Sequence, residues 1–225
     1  ALMLLRRPQD RPTDDFSDAH GSVLVIGWGR FGQIVSQCLL AEGLDVTIID
    51  KNPEMIQQAA RFGFKVYYGD GTRLDVLRAA SAKDARLLAI CIDGREAASR
   101  IVDIAQAELA GTKLFVRSYD RRHSLQLIAK SVDFELRETY ESALVFGRAT
   151  LEAIGLDRDR ALAVAEFVRQ RDLDRLALQQ AEGLAAGIEL LRTTMVQEPL
   201  SRPSRQGTPL NPETQDIINR RSGSE

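Results

Sequence analysis

The chain has 225 residues, 44% hydrophobic and 28% charged, enough for one sizeable core with an appendage. Lys and Arg number 30 against 32 Asp and Glu, a net charge of −2, which argues against a general nucleic-acid binder. No run of about 18 apolar residues occurs, so no segment of this sequence reads as spanning a bilayer. Cys38 and Cys91 both sit in apolar runs and read as small core residues rather than a disulfide. Two histidines and no paired-cysteine spacing argue against a zinc site.

The chain opens Ala1-Leu2-Met3-Leu4-Leu5, followed by Arg6, Arg7 and Pro8. This reads either as a frayed end or as the stub of a transmembrane helix meeting the cytoplasm. Residues 8–20 are polar, with Pro and Asp, and read as a linker. From Ser22 the pattern changes. Val23-Leu24-Val25-Ile26 is a short β-branched run, as in a strand buried on both faces. Gly27-Trp28-Gly29-Arg30-Phe31-Gly32 follows, then a helical stretch over 33–41. A second apolar run, 46–49, ends at Asp50. Helices are then predicted over 53–61, 73–80, 95–109 and 125–130, and strands over 65–68, 86–92, 113–116 and 132–136. Strands alternating with helices predict an α/β fold, a Rossmann-like doubly wound parallel sheet. C-terminal helices and a flexible tail complete it. The domain plan is a linker over 1–20, a nucleotide-binding domain over 21–155, a helical extension over 156–195 and a disordered tail over 196–225. Within that tail, 216–218 is a small apolar exception.

The glycine motif follows a strand, opens a helix and has an acidic residue at the next strand end, 23 positions after Gly27. Gly27 permits the tight turn, Gly29 lets backbone approach a diphosphate, and Gly32 packs the helix against the strand. The helix N-terminus offers free N–H groups to phosphate. Asp50 accepts from ribose hydroxyls and its charge repels a 2′-phosphate, favouring NAD(H) or adenosine nucleotides over NADP(H). Lys51 weakens that discrimination. Two further loops, Gly69-Asp70-Gly71-Thr72 and Ile92-Asp93-Gly94, follow strands and should border the same crevice. Asp70 reads equally as the N-cap of the next helix or as a ligand contact, and Asp93 is similar. Arg117, at a strand end, reads as a phosphate contact or as solvated surface.

In order along the chain, GWGRFGQ, IID, YYGDGTRLDVLRAA, AICID, VRSYD and RETYESAL resemble the regulator-of-potassium-conductance (RCK, or KTN) domain. Within that class they resemble most the cytosolic C-terminal domain of Kef-type glutathione-regulated potassium-efflux antiporters, over about 22–171. The resemblance implies a homodimer at the cytoplasmic face of the bacterial inner membrane. It would bind NAD(H) or an AMP/ATP-type adenine nucleotide and gate potassium–proton exchange by a membrane domain of the same chain. It places Gly27, Trp28, Gly29, Arg30, Phe31, Gly32, Asp50, Lys51, Asp70, Thr72, Asp93 and Arg117 at the nucleotide site, with no catalytic residue and no metal. Two positions depart from the pattern. Tyr119 stands where glutathione-gated members carry a second arginine, and Asp172 where they carry an asparagine, so glutathione is the doubtful part of what the resemblance implies.

The stretch 139–151 is amphipathic and exposes Leu144, Val145 and Leu151 unless covered, by its own sheet or by a second subunit. A long helix follows over 157–180, and 183–195 is partly helical. Two alternatives remain: a soluble NAD-dependent oxidoreductase, and the regulatory subunit of a potassium uptake channel. The oxidoreductase needs a proton donor near the nicotinamide. His123 is the candidate, though it lies in a charged helix start and reads more readily as solvated or capping. Cys91 has no basic neighbour in sequence to make it a nucleophile.

Overall fold

The computed structural model describes residues 15–191. The segment before Asp15, the expected tail over 196–225 and its apolar 216–218 lie outside the described residues.

Six strands form one parallel sheet in the order β3-β2-β1-β4-β5-β6. They are β1 (Val23–Ile26), β2 (Val46–Asp50), β3 (Tyr67–Tyr68), β4 (Leu87–Ile90), β5 (Lys113–Ser118) and β6 (Phe134–Arg137). The intervening helices are α1 (Arg30–Ala41), α2 (Pro53–Arg61), α3 (Leu74–Ala79), α4 (Arg95–Glu108) and α5 (Arg121–Ala129). After β6 come α6 (Tyr140–Ala153), α7 (Arg158–Glu182) and a short 3-10 turn, Ile188–Leu191. The chain runs outward from β1 to β3, then restarts at β4 on the other side of β1. The order therefore reverses between β1 and β4, where a doubly wound sheet leaves a crevice at its carboxyl ends.

β1 is apolar throughout because both its faces are covered. Leu24 and Ile26 join one core with Leu77, Leu88, Ile101 and Leu127. Val23 and Val25 join the other with Trp28, Ile48, Ala59 and Val66. β3 is shorter than the predicted 65–68, since only Tyr67 and Tyr68 pair, with Ile49 and Asp50. Lys65 instead reaches Asp18 at 3.0 Å.

The structure departs from the sequence expectation at Phe16, Ala19, Cys38 and His123. Phe16 and Ala19, read as linker, are buried in the main core, because the Phe16 ring stacks on Tyr67 with centroids 5.0 Å apart. Cys38 is exposed, whereas Cys91 is buried. α1 carries more apolar residues than the sheet covers: it fully buries only Gly32 and Ser36 and leaves Ile34 outward. His123 is fully buried, neither solvated nor a cap; Asp120 caps α5 by accepting from the His123 N–H. Its Nδ1 accepts from the Tyr119 N–H at 3.1 Å, which leaves Nε2–H to donate to Ser99 Oγ at 3.2 Å.

α7 is pinned to the sheet domain by charge. Asp172 pairs with Arg121 Nη1 at 2.5 Å and also with Arg137, whose guanidinium lies 4.0 Å from the Tyr140 ring. Arg121 Nε donates to Gln179 Oε1 at 2.5 Å. Among the described residues, no helix is long and apolar enough to cross a membrane.

Candidate functional site

The crevice at the switch point has a volume of about 250 Å³. Its walls come from four strand ends: the turn after β1, the end of β2, the loop after β3 and the loop after β4. Each glycine in the first wall has a distinct steric reason. Gly27 has φ +101°, a left-handed conformation that strains any other residue, and donates its N–H to the Ile49 carbonyl at 2.8 Å. A Cβ on Gly32 would stand 1.9 Å from the Gly27 carbonyl oxygen, so only glycine lets α1 start this close to β1. A Cβ on Gly29 would meet nothing within 4 Å. That side faces open crevice, where another molecule can approach the backbone.

The start of α1 is electrostatically vacant. Its N-cap, Gly29, supplies no side-chain hydrogen bond, and no acidic residue occupies its first turn. The N–H groups of that turn have no carbonyl within the helix, and the helix dipole adds positive potential. By contrast α2, α5 and α7 are capped by Asn52, Asp120 and Asp157.

Asp50 faces this turn from the end of β2. Its Oδ2 accepts from the Trp28 N–H at 2.6 Å and its Oδ1 from the Asn52 N–H at 2.7 Å. The carboxylate is thus held in place by backbone while lining the crevice beside Lys51 and Asn52. Asp70 also lines it. It does not cap α3, whose N-cap is Arg73 without a side-chain bond. Its Oδ1 instead accepts from the Thr72 N–H at 3.0 Å and hydroxyl at 2.7 Å, shaping the loop. Partial burial pushes the Asp70 carboxyl up, but the two Thr72 hydrogen bonds, with Lys51 and Arg73 nearby, outweigh it and hold the group below its ordinary range.

Of the residues singled out in the sequence, the fold brings Gly27, Gly29, Asp50, Lys51, Asp70, Thr72 and Asp93 to the crevice wall. The others stand elsewhere. The Trp28 ring is buried against Phe64, centroids 4.9 Å apart. Arg30 projects into solvent with its side chain 93% exposed. Gly32 is buried under the turn. Arg117 is neither solvated nor aimed at the crevice. Its side chain is 3% exposed; Nη1 donates to the Cys91 carbonyl at 3.1 Å and to Asp93 Oδ1 at 2.5 Å, and Nη2 pairs with Glu138. Its guanidinium lies 5.2 Å from the Phe31 ring. Glu138 and Asn52 have no motif of their own in the sequence that marks them as site residues. Glu138 carries no local signal, because its relation to Arg117 exists only through the β5–β6 register. Cys91 lines the crevice, yet burial pushes its thiol up to about 12, with Arg117 only partly opposing, so it stays protonated at neutral pH.

A glycine turn after β1, an acid ending β2 and a crevice at the β1/β4 switch point define a Rossmann-type domain. A model of the TrkA-N domain family matches residues 23–134. A glutathione-regulated potassium-efflux system protein of Haemophilus influenzae is 40% identical over 205 residues, 91% of this chain and 33% of that protein. The glutathione-regulated potassium-efflux system protein KefC of an Enterobacter species is 35% identical over 180 residues, 79% of this chain and 29% of that protein. Among solved structures, the Shewanella denitrificans Kef C-terminal domain in AMP-bound form is 37% identical. The match covers 71% of this chain and 97% of that one, with a TM-score of 0.65. The chain belongs to the Kef family of TrkA-N domains. It spans about a third of the length of the curated relatives it matches.

Proposed function

We propose that this chain is the cytosolic, nucleotide-sensing regulatory domain of a potassium-efflux antiporter, and that an adenine nucleotide held in the β1/β4 crevice sets the state of the membrane part. The observation that carries the reading is Asp50: a carboxylate fixed by two backbone N–H groups, one of them from the glycine turn, at the wall of an open crevice. A nucleotide fits the residues present. Gly29 and the first-turn N–H groups of α1 would hold phosphate, and Asp50 would hold the ribose hydroxyls. The negative charge of Asp50 favours AMP or NAD(H) over a ligand bearing a 2′-phosphate. A 37% identical Kef domain solved in an AMP-bound form supports the same assignment.

The ligand's role in this reading is binding energy. Preferential binding to one conformation shifts an equilibrium; no chemical step is required. His123, the candidate acid of a dehydrogenase, is sealed from solvent with both ring nitrogens engaged, and it does not line the crevice. Glutathione control has less support. Tyr119 is exposed where an arginine is expected, and Asp172 is tied to two arginines. The partner is a second copy, met through α6, which buries none of its residues fully in one chain. The site of action is the cytoplasmic face of the bacterial inner membrane.

A thermal-shift series tests the binding assignment. AMP and NADH raise the melting temperature, and NADPH raises it less at equal concentration, because a ligand stabilises the state that binds it. NADH is bound without turnover. An equal shift by NADPH, or none by AMP and NADH, contradicts the reading.

A further inference from the structure

We propose that Arg117 couples the crevice to α6, by sharing one buried guanidinium between a crevice carboxylate and the carboxylate at the root of that helix. This rests on the nucleotide reading above. On one side Arg117 Nη1 holds Asp93 Oδ1 at 2.5 Å; the Asp93 side chain is 76% exposed and lines the crevice. On the other, Nη2 pairs with Glu138, 24% exposed, two residues before α6 begins at Tyr140. The Glu138 N–H donates to the Ser118 carbonyl at 3.1 Å, so the backbone joining β6 to α6 is tied to the strand that carries Arg117.

The arginine cannot easily turn elsewhere. The Cys91 carbonyl takes its third contact, the Phe31 ring lies 5.2 Å from its guanidinium, and its Nε is buried with no hydrogen-bond partner. A charge this buried needs compensation, and two carboxylates divide it between them. Any group in the crevice that draws on Asp93 leaves more of that charge to Glu138. The root of α6 is then held more firmly. The second cation near Glu138, Arg30, is a minor partner at 4.0 Å, with its side chain 93% exposed to screening solvent. The two ends of this link are separate in sequence, and the buried arginine is a physical connection that both can bias.

Hydrogen exchange on the 225-residue chain, with saturating AMP as the probe, gives the test. In the unchanged protein, AMP slows exchange of the amides over 143–147 by about fivefold or more, the lower end of the usual range of coupling between sites. In Glu138→Gln the same AMP concentration still saturates the crevice, followed by titration calorimetry, and the slowing at 143–147 disappears. Arg117→Lys, a point charge that cannot bridge both carboxylates, gives the same loss. Each variant is first shown to melt cooperatively. If Glu138→Gln or Arg117→Lys binds AMP and still slows these amides as the unchanged chain does, the coupling is overturned and the nucleotide reading stands. AMP binding to the unchanged chain without any change at 143–147 overturns it equally. No AMP binding to the unchanged chain overturns both.

Discussion

Asp50 and Trp28 form one unit: the carboxylate that ends β2 accepts the backbone N–H inside the glycine turn at 2.6 Å. The bond crosses between parallel neighbours β1 and β2, just beyond their last register pair, Ile26 with Ile49. The acid expected to meet the ligand therefore also fixes the turn that approaches it.

The two glycines of that turn make opposite predictions. Gly32→Ala places a Cβ against the Gly27 carbonyl, a backbone atom that cannot move aside. The expected cost is roughly 3 kcal/mol or more, at or above the top of the range for overpacking. Gly29→Ala meets no atom within 4 Å and has an ordinary φ of −75°, so its melting temperature should be unchanged while AMP binding is lost. Denaturant melts and calorimetry on the pair check this. A Gly32→Ala as stable as the unchanged chain, or a Gly29→Ala that binds AMP normally, speaks against the geometry.

Asp172 is shared by two arginines whose side chains are only 16–17% exposed. Asp172→Ala leaves both cations facing each other at the α7 contact. Breaking a fully buried pair costs about 3–5 kcal/mol; with this much exposure the expectation is about 2–4 kcal/mol. Urea midpoints measure it, and a change below about 0.5 kcal/mol counts against α7 being pinned by charge.

Burial lowers the pKa of His123 below its ordinary 6.5, with Asp120, Glu135 and Glu96 opposing and Arg95 assisting. The sign follows directly. Folding favours the neutral ring, so its contribution is complete above pH 6.5. It falls as pH drops from there toward the folded value, by at most about 1.4 kcal/mol per pH unit. The stability difference between the native chain and His123→Gln should therefore shrink between pH 7.5 and 5.5. A difference that stays constant over that window contradicts the buried neutral tautomer.

α6 carries Val145 and Phe146 at 58% and 76% exposure, while Leu144 and Leu151 turn into a groove shared with Val164 and Val168 of α7. The outward pair is what a second copy would bury. Val145→Asp with Phe146→Asp should convert a dimer to monomers at tens of micromolar while the sheet domain stays folded, since placing charge in an apolar interface costs several kcal/mol. Sedimentation velocity decides. An unchanged chain that is monomeric, or a double variant that still sediments as a dimer, removes the α6 interface.

The features of the fold and site legible in sequence are local. The glycine turn, Asp50 and the loops after β3 and β4 declare themselves because strand, turn and helix signals lie within a few residues of each other. The rest depends on distance in the chain. Arg117 meets Glu138, 21 residues later, only because the parallel register of β5 and β6 pairs Arg117 with Leu136. Phe16 reads as linker because its neighbours are polar, and only the position of Tyr67 shows where its ring goes. Cys38 reads as core because it sits in an apolar run, whereas its burial depends on how much of α1 the sheet covers.

Calorimetric titration of AMP into the unchanged chain and into Asp50→Ala shows whether Asp50 holds the nucleotide. Saturable binding is expected in the first, and a loss of about 1.5–3 kcal/mol, a factor of roughly 10–150, in the second, the scale of hydrogen bonds to a charged group. No binding to the unchanged chain, or equal affinity in Asp50→Ala, would contradict it.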